Sequence, residues 1–172
     1  MNDAKQVGPV VASAHLAAGA APELSEFEFG LMMCANAFGR WIVRGMGAAG
    51  QGGLSPVEVM ILHSVNHRGR EKRLADLCLV LNIEDTHVVS YAIKKLSARG
   101  LVKTGRSGKE KTVSISAEGE AACLRYREIR EAALVSALRE TGADPVQISR
   151  LAALLRSLSG QYDQAARAAA SL

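Results

Sequence analysis

The feature that most constrains this chain is a change of period at Gly100. Before it, apolar residues recur at helical spacings; after it, they alternate as in strands. Ser55-Pro56-Val57-Glu58 is a helix start. Ser55 serves as cap, Pro56 falls where its missing N–H is harmless, and Glu58 completes a capping box. Val59, Ile61, Leu62 and Val65 follow, and the helix is expected to end near Gly69. A short helix carries Leu74, Leu77, Cys78 and Leu81, and Asn82-Ile83 breaks it. A third begins around Glu84-Asp85, acids suited to the positive end of a helix, and stops at Gly100, a left-handed cap.

Leu101-Val102-Lys103-Thr104 and Thr112-Val113-Ser114-Ile115-Ser116 then read as two short strands. Between them lies the charged, glycine-containing tip Gly105 to Glu110. Three short helices feeding a two-stranded ribbon are the order of a winged helix-turn-helix. The expected fold class is mainly α (α+β), with this lobe over residues 54–116.

The flanks read differently. Residues 1–22 are rich in Ala and Gly and read as an N-terminal arm. From Glu23, the residues Phe27, Leu31, Ala35, Phe38 and Ile42 form a helical stripe, widened by Leu24, Met32, Met33, Cys34 and Trp41. Gly45 to Gly53 reads as a flexible linker. It contains a literal G-x-G-x-x-G at Gly45, Gly47 and Gly50, but the nucleotide-binding motif needs a strand before it and a helix directly after. Ser116 is expected to cap a helix running to about Glu140. Asp144-Pro145 starts a last one with Ile148, Leu151, Leu155, Leu158 and Tyr162 on its apolar face. Residues 23–50 and 117–172 carry more apolar surface than a winged lobe can cover, so they are expected to be dimerisation helices that pack on a second copy.

Charge locates the partner. The 172-residue chain has a formal net charge of +4, yet between His63 and Lys111 eleven Lys/Arg face five acids. A basic middle between near-neutral ends is an electrostatic footprint for a polyanion. On the third helix Val89, Ile93 and Leu96 face the core with Ala92, which leaves Thr86, His87, Ser90, Tyr91 and Lys94 outside, where base edges are reached. Lys95 lies beside them, nearer the phosphates. The ribbon adds Lys103, Arg106, Lys109 and Lys111, placed to cover the backbone or enter the minor groove.

Other residue types give less. The three cysteines (Cys34, Cys78, Cys123) form no Cys-x-x-Cys pair and no disulfide framework. Cys78 and Cys123 read as packing. Cys34, near the expected dimer seam, reads as a small buried hydrophobe, with a redox switch as the sharper alternative. Met32, Met33, Trp41, Met46 and Met60 read first as core. Met33, Trp41 and Met60 in particular could instead line an effector pocket. His63 and His67 stand four apart, but no third ligand accompanies them, so no metal is expected. No nucleophile–base pair emerges, so neither catalysis nor a cofactor is expected. No run of 18 apolar residues suggests a membrane span, and the weakly signal-like N-terminus lacks a Leu-rich centre; a cytoplasmic location is expected.

The stretches LSPVEVMILHSVNHRG and LADLCLVLNIEDTHVVSYAIKKLSARGLVKTGRSGKEKTVSISAEGE resemble the MarR family of bacterial regulators, with the similarity spanning roughly residues 23–165. Its plainest echoes are L-x-x-x-G-L-V (Leu96, Gly100, Leu101, Val102) and I-S-A-E-G (Ile115 to Gly119). The resemblance implies an obligate dimer on near-palindromic double-stranded DNA, a repressor, released by a small-molecule or oxidant signal. One departure stands out. The family's wing usually carries an Asp-x-Arg pair, and here that place holds Ser107-Gly108-Lys109-Glu110-Lys111, which leaves Arg106 and Lys109 as alternative minor-groove probes. Two other functions fit the same order of elements: a winged helix serving protein contact, and an effector sensor that does not bind DNA.

Overall fold

The computed structural model describes residues 8–172, and part of the expected arm lies outside them. The chain divides into two compact units, Met1–Arg127 and Glu128–Leu172.

In the first unit α1 (Ala14–Ala17) precedes the long α2 (Pro22–Ala48). Within the described part of the expected arm, α1 is held in place: the Ser25 hydroxyl donates to the Leu16 carbonyl at 2.7 Å, tying α1 to the start of α2. The expected linker is corrected. Helix α2 runs through Gly45 to Ala48, because Met46 (0 % exposed) and Ala49 (2 %) extend the stripe of Ile42 into the core. Gly45 is buried, and a Cβ there would lie 2.7 Å from the Tyr126 ring. What remains is a short turn. It is held by the Arg99 guanidinium, which donates to the Gly52 carbonyl at 2.6 Å, and by Arg125, which donates to Ala49 at 3.0 Å.

The lobe follows the expected order. Helix α3 (Pro56–Asn66) opens on the capping box: Glu58 N–H donates to Ser55 Oγ at 3.3 Å and Ser55 N–H to Glu58 Oε2 at 3.0 Å. A 3-10 turn (His67–Gly69) leads to β1 (Lys72–Arg73), a strand the sequence reading lacked, then α4 (Leu74–Leu81) and α5 (Thr86–Ala98). Asn82 caps α4 in the left-handed region. Strands β2 (Val102–Ser107) and β3 (Glu110–Ile115) form the ribbon, and β1 adds to its far edge, giving the antiparallel order β1-β3-β2. The ribbon turns through Gly108 and Lys109, with Ser107 opposite Glu110. Gly108 has φ +63°, the positive value that a two-residue hairpin requires at its first central position.

Val59, Ile61, Leu62 and Val65 of α3, Leu77 of α4, Val89 and Leu96 of α5, Leu101 just before the ribbon and Val113 within it are at most 2 % exposed. They form the core that fixes α5 against the sheet. Helix α6 (Ala117–Arg130) is capped by Ser116, whose hydroxyl accepts from Gly119 N–H at 2.9 Å and donates to the Gly100 carbonyl at 2.6 Å.

The second unit continues α6 through a π-helical turn (Glu131–Val135) into α7 (Ser136–Glu140). The expected single helix to Glu140 thus carries a π-bulge. Then α8 (Pro145–Ala169) starts where Asp144 accepts from Val146 N–H at 2.9 Å. It buries no residue within the chain.

Candidate nucleic-acid interface

Helix α5 is anchored by its inner face, since Val89, Ala92, Ile93 and Leu96 are all buried. Asp85 caps it, accepting from His87 N–H at 2.8 Å, which turns that acid toward the helix's own amides. Thr86, His87, Tyr91 and Lys94 are left exposed and Ser90 half-buried, with Tyr91 64 % exposed.

The wing brings its cations to the same place. A groove of about 800 Å³ runs between α5 and the ribbon. His87, Ser90, Tyr91 and Lys94 line one wall and Arg106 and Lys111 the other, over a floor that includes Ile93 and Val113. Six of the ten residues expected to meet DNA are thus gathered in one concavity. Thr86, Lys103 and Lys109 lie exposed outside it.

Of the eleven cations of the basic segment, Arg68 and Arg70 lie exposed at the turn before β1, and the other nine divide into two groups. Lys72 donates to the carbonyls of His67 and Arg70 at 2.7 and 2.8 Å and so closes the turn before β1. Burial lowers its pKa, and the charges of Arg70 and Arg68 add to that. Arg73 pairs with Glu110 at 3.1 Å, bracing β1 against the wing. Arg99 holds the turn after α2, and Lys95 lies 2.6 Å from Glu58. These four serve the fold. Lys94, Lys103, Arg106, Lys109 and Lys111 have no ion-pair partner among the described residues and are the cations available to a polyanion.

The other candidate residues are dispersed. Met33 is 50 % exposed on α2, whereas Trp41 and Met60 are half-buried. The Trp41 ring stands 6.3 Å from that of Tyr126, which in turn meets His63 at 4.7 Å. Cys34 is exposed in the chain rather than buried as its apolar setting suggested. Cys78 and Cys123 are buried, and burial, with Glu120 nearby, pushes the Cys123 thiol up to about 11. His63 packs inward, where burial lowers its pKa, while His67 is exposed; no cluster of three metal-ligating side chains occurs among the described residues. No helix among those residues is long and apolar enough to cross a membrane.

Three helices, a wing and a basic groove between the third helix and that wing define a class. Residues 54–119 match the family model described as a winged helix DNA-binding domain. No curated protein sequence matches the chain. Among solved structures, a MarR-family transcriptional regulator from Rhodococcus sp. RHA1 is 13% identical with a TM-score of 0.64, covering 77% of this chain and 91% of that one. CouR from Rhodococcus jostii RHA1, solved with p-coumaroyl-CoA, is 14% identical with a TM-score of 0.65, covering 77% and 90%. A mutant MarR from E. coli in complex with operator DNA is 15% identical with a TM-score of 0.64, covering 81% and 98%. The chain has the winged-helix fold of MarR-family regulators.

Proposed function

We propose that this protein is a homodimeric, sequence-specific regulator of transcription that binds near-palindromic double-stranded DNA and represses by occluding a promoter. The observation that carries the reading is the single groove in which the outer residues of α5 face the cations of the wing. Thr86, His87, Ser90 and Tyr91 read base edges in the major groove. Lys94, Lys103, Lys109 and Lys111 neutralise phosphates, and Arg106 leads the wing toward the minor groove. Dimerisation through residues 23–50 and 117–172 presents two copies of α5 to successive major grooves, about 10 bp apart.

Release by a small molecule is part of the proposal, with Met33, Trp41 and Met60 as its candidate contacts and Cys34 as the candidate for an oxidant. It is supported by the likeness in fold to a protein solved with an acyl-CoA. Selection of bound duplexes from a random pool tests the core of the reading. An enriched palindrome with half-sites one turn apart is the expected result. Absence of duplex binding at low salt would overturn it in favour of a protein-binding or effector-sensing winged helix.

A further inference from the structure

Glu58 is unusual: a carboxylate only 3 % exposed, in the first turn of α3 where that helix meets α5. A buried charge persists only where its oxygens are matched. Its two oxygens are divided between two elements. Oε2 accepts from the Ser55 N–H at 3.0 Å and so belongs to the start of α3. Oε1 lies 2.6 Å from Lys95 Nζ and so belongs to α5. The same ammonium stands 5.7 Å from the centroid of the Tyr91 ring, one turn back on α5 and on the same side. Lys95 thus has a buried anion on one side and an exposed aromatic on the other.

We propose that Lys95 is a positioning residue rather than a phosphate contact, and that the Glu58–Lys95 pair latches the recognition helix in the rotation that presents Tyr91 to DNA. This rests on the DNA-binding reading above. Sliding or rotating α5 breaks the 2.6 Å contact and leaves Glu58 buried without its cation. A phosphate competing for Lys95 would do the same. The neighbouring lysine differs: Lys94, one position earlier, lines the groove. Two adjacent lysines of α5 therefore carry separate tasks, one toward the nucleic acid and one toward the protein. Protonation follows the geometry. The Glu58 hydrogen bond raises the Lys95 pKa. Burial pushes the Glu58 carboxyl up, but the bonds from Lys95 and Ser55 prevail and bring it below the usual glutamate range.

The test measures duplex affinity of the full chain against salt, on the sequence that wild type selects, for Lys94→Met, Lys95→Met, Glu58→Gln and the Glu58→Gln/Lys95→Met double variant. Failure of wild type to bind any duplex would overturn the DNA reading itself. If wild type binds, Lys94→Met is expected to flatten the salt dependence by about 0.9 per lost phosphate contact. Lys95→Met is expected to weaken binding roughly tenfold at every salt concentration with the slope unchanged, because a charged hydrogen bond within the protein has been lost. Glu58→Gln should do the same, and the double variant should be no worse than either single. A second cycle of the same variants, read as thermal unfolding without DNA, should show coupling between the two positions. A slope that falls for Lys95→Met as it does for Lys94→Met, or losses that simply add in either cycle, would overturn the latch.

Discussion

Single side chains set hard limits in this molecule. A Cβ on Gly119 would collide with the Leu101 carbonyl oxygen and stand 2.7 Å from Ile115 Cδ1, so the first turn of α6 passes the β2–β3 ribbon with no room for even a methyl. Gly119→Ala is expected to cost about 1–3 kcal/mol or more, measured by denaturant titration, because the clash is with backbone that cannot yield. His63 sets a limit of another kind. It packs on Tyr126 at 4.7 Å, its Nε2 is buried without a partner, and burial holds its pKa below the ordinary histidine value. The unfolded chain then takes up a proton first as pH falls. Stability is accordingly full above about pH 6.5 and declines below it. His63→Phe should flatten the pH dependence of the melting temperature below about pH 6.5; an unchanged profile would count against this placement. Residue types such as these were partly legible from sequence. Ser55 and Glu58 announced a capping box by spacing alone. The second bond of Glu58, to a lysine 37 positions on, depends on how α3 crosses α5, and no local pattern encodes that.

At the scale of elements, strong periodicity was readable and weak or competing signals were not. The core stripe of α5 and the Gly100 stop are repeated signals, and both agree with the structure. Strand β1 is two residues long, Lys72-Arg73, too short to show alternation, and it exists because it pairs with Val113 and Thr112 of the wing. The end of α2 was misread because four glycines between Gly45 and Gly52 outweighed a quieter pattern. Ile42, Met46 and Ala49 continue the helical spacing, and burial of all three decides the outcome. The wing carries the next prediction. Ser107 and Glu110 close a two-residue turn, so Lys109 sits at the tip while Arg106 and Lys111 face each other one step back along the ribbon. Arg106→Ala should weaken duplex binding across sequences and lower the salt slope by about 0.9 per lost contact. Ser90→Ala should change base preference with the slope retained. Salt-titrated binding to selected and scrambled duplexes distinguishes the two, and equal behaviour of both variants would remove the division of labour between helix and wing.

On the scale of the whole molecule, the unanswered demand is apolar surface. Helix α8 buries nothing within the chain, and its Val146, Ile148, Leu151 and Leu154 are 43–56 % exposed. In α2, Met32, Met33 and Phe38 are 50–53 % exposed. Scattered apolar residues on a surface need no explanation, but Ile148, Leu151, Leu155, Leu158 and Tyr162 recur at alternating spacings of three and four, the pattern of a helix that packs lengthwise against another. If that partner is a second copy, the 18.2 kDa chain sediments at twice its mass. Leu151→Lys then shifts the equilibrium toward monomer, since burying an unpaired ammonium opposes association. Leu151 lies outside the first compact unit, Met1–Arg127, so the variant should keep the thermal transition of that unit while losing affinity for a two-half-site duplex far more than for a single half-site, because the second contact is no longer delivered at high effective concentration. Sedimentation equilibrium and binding to the two duplexes measure both effects. A wild-type chain that is monomeric at micromolar concentration, or a Leu151→Lys variant that discriminates between the duplexes as wild type does, would sever the link between these exposed helices and the spacing of the DNA-reading lobes.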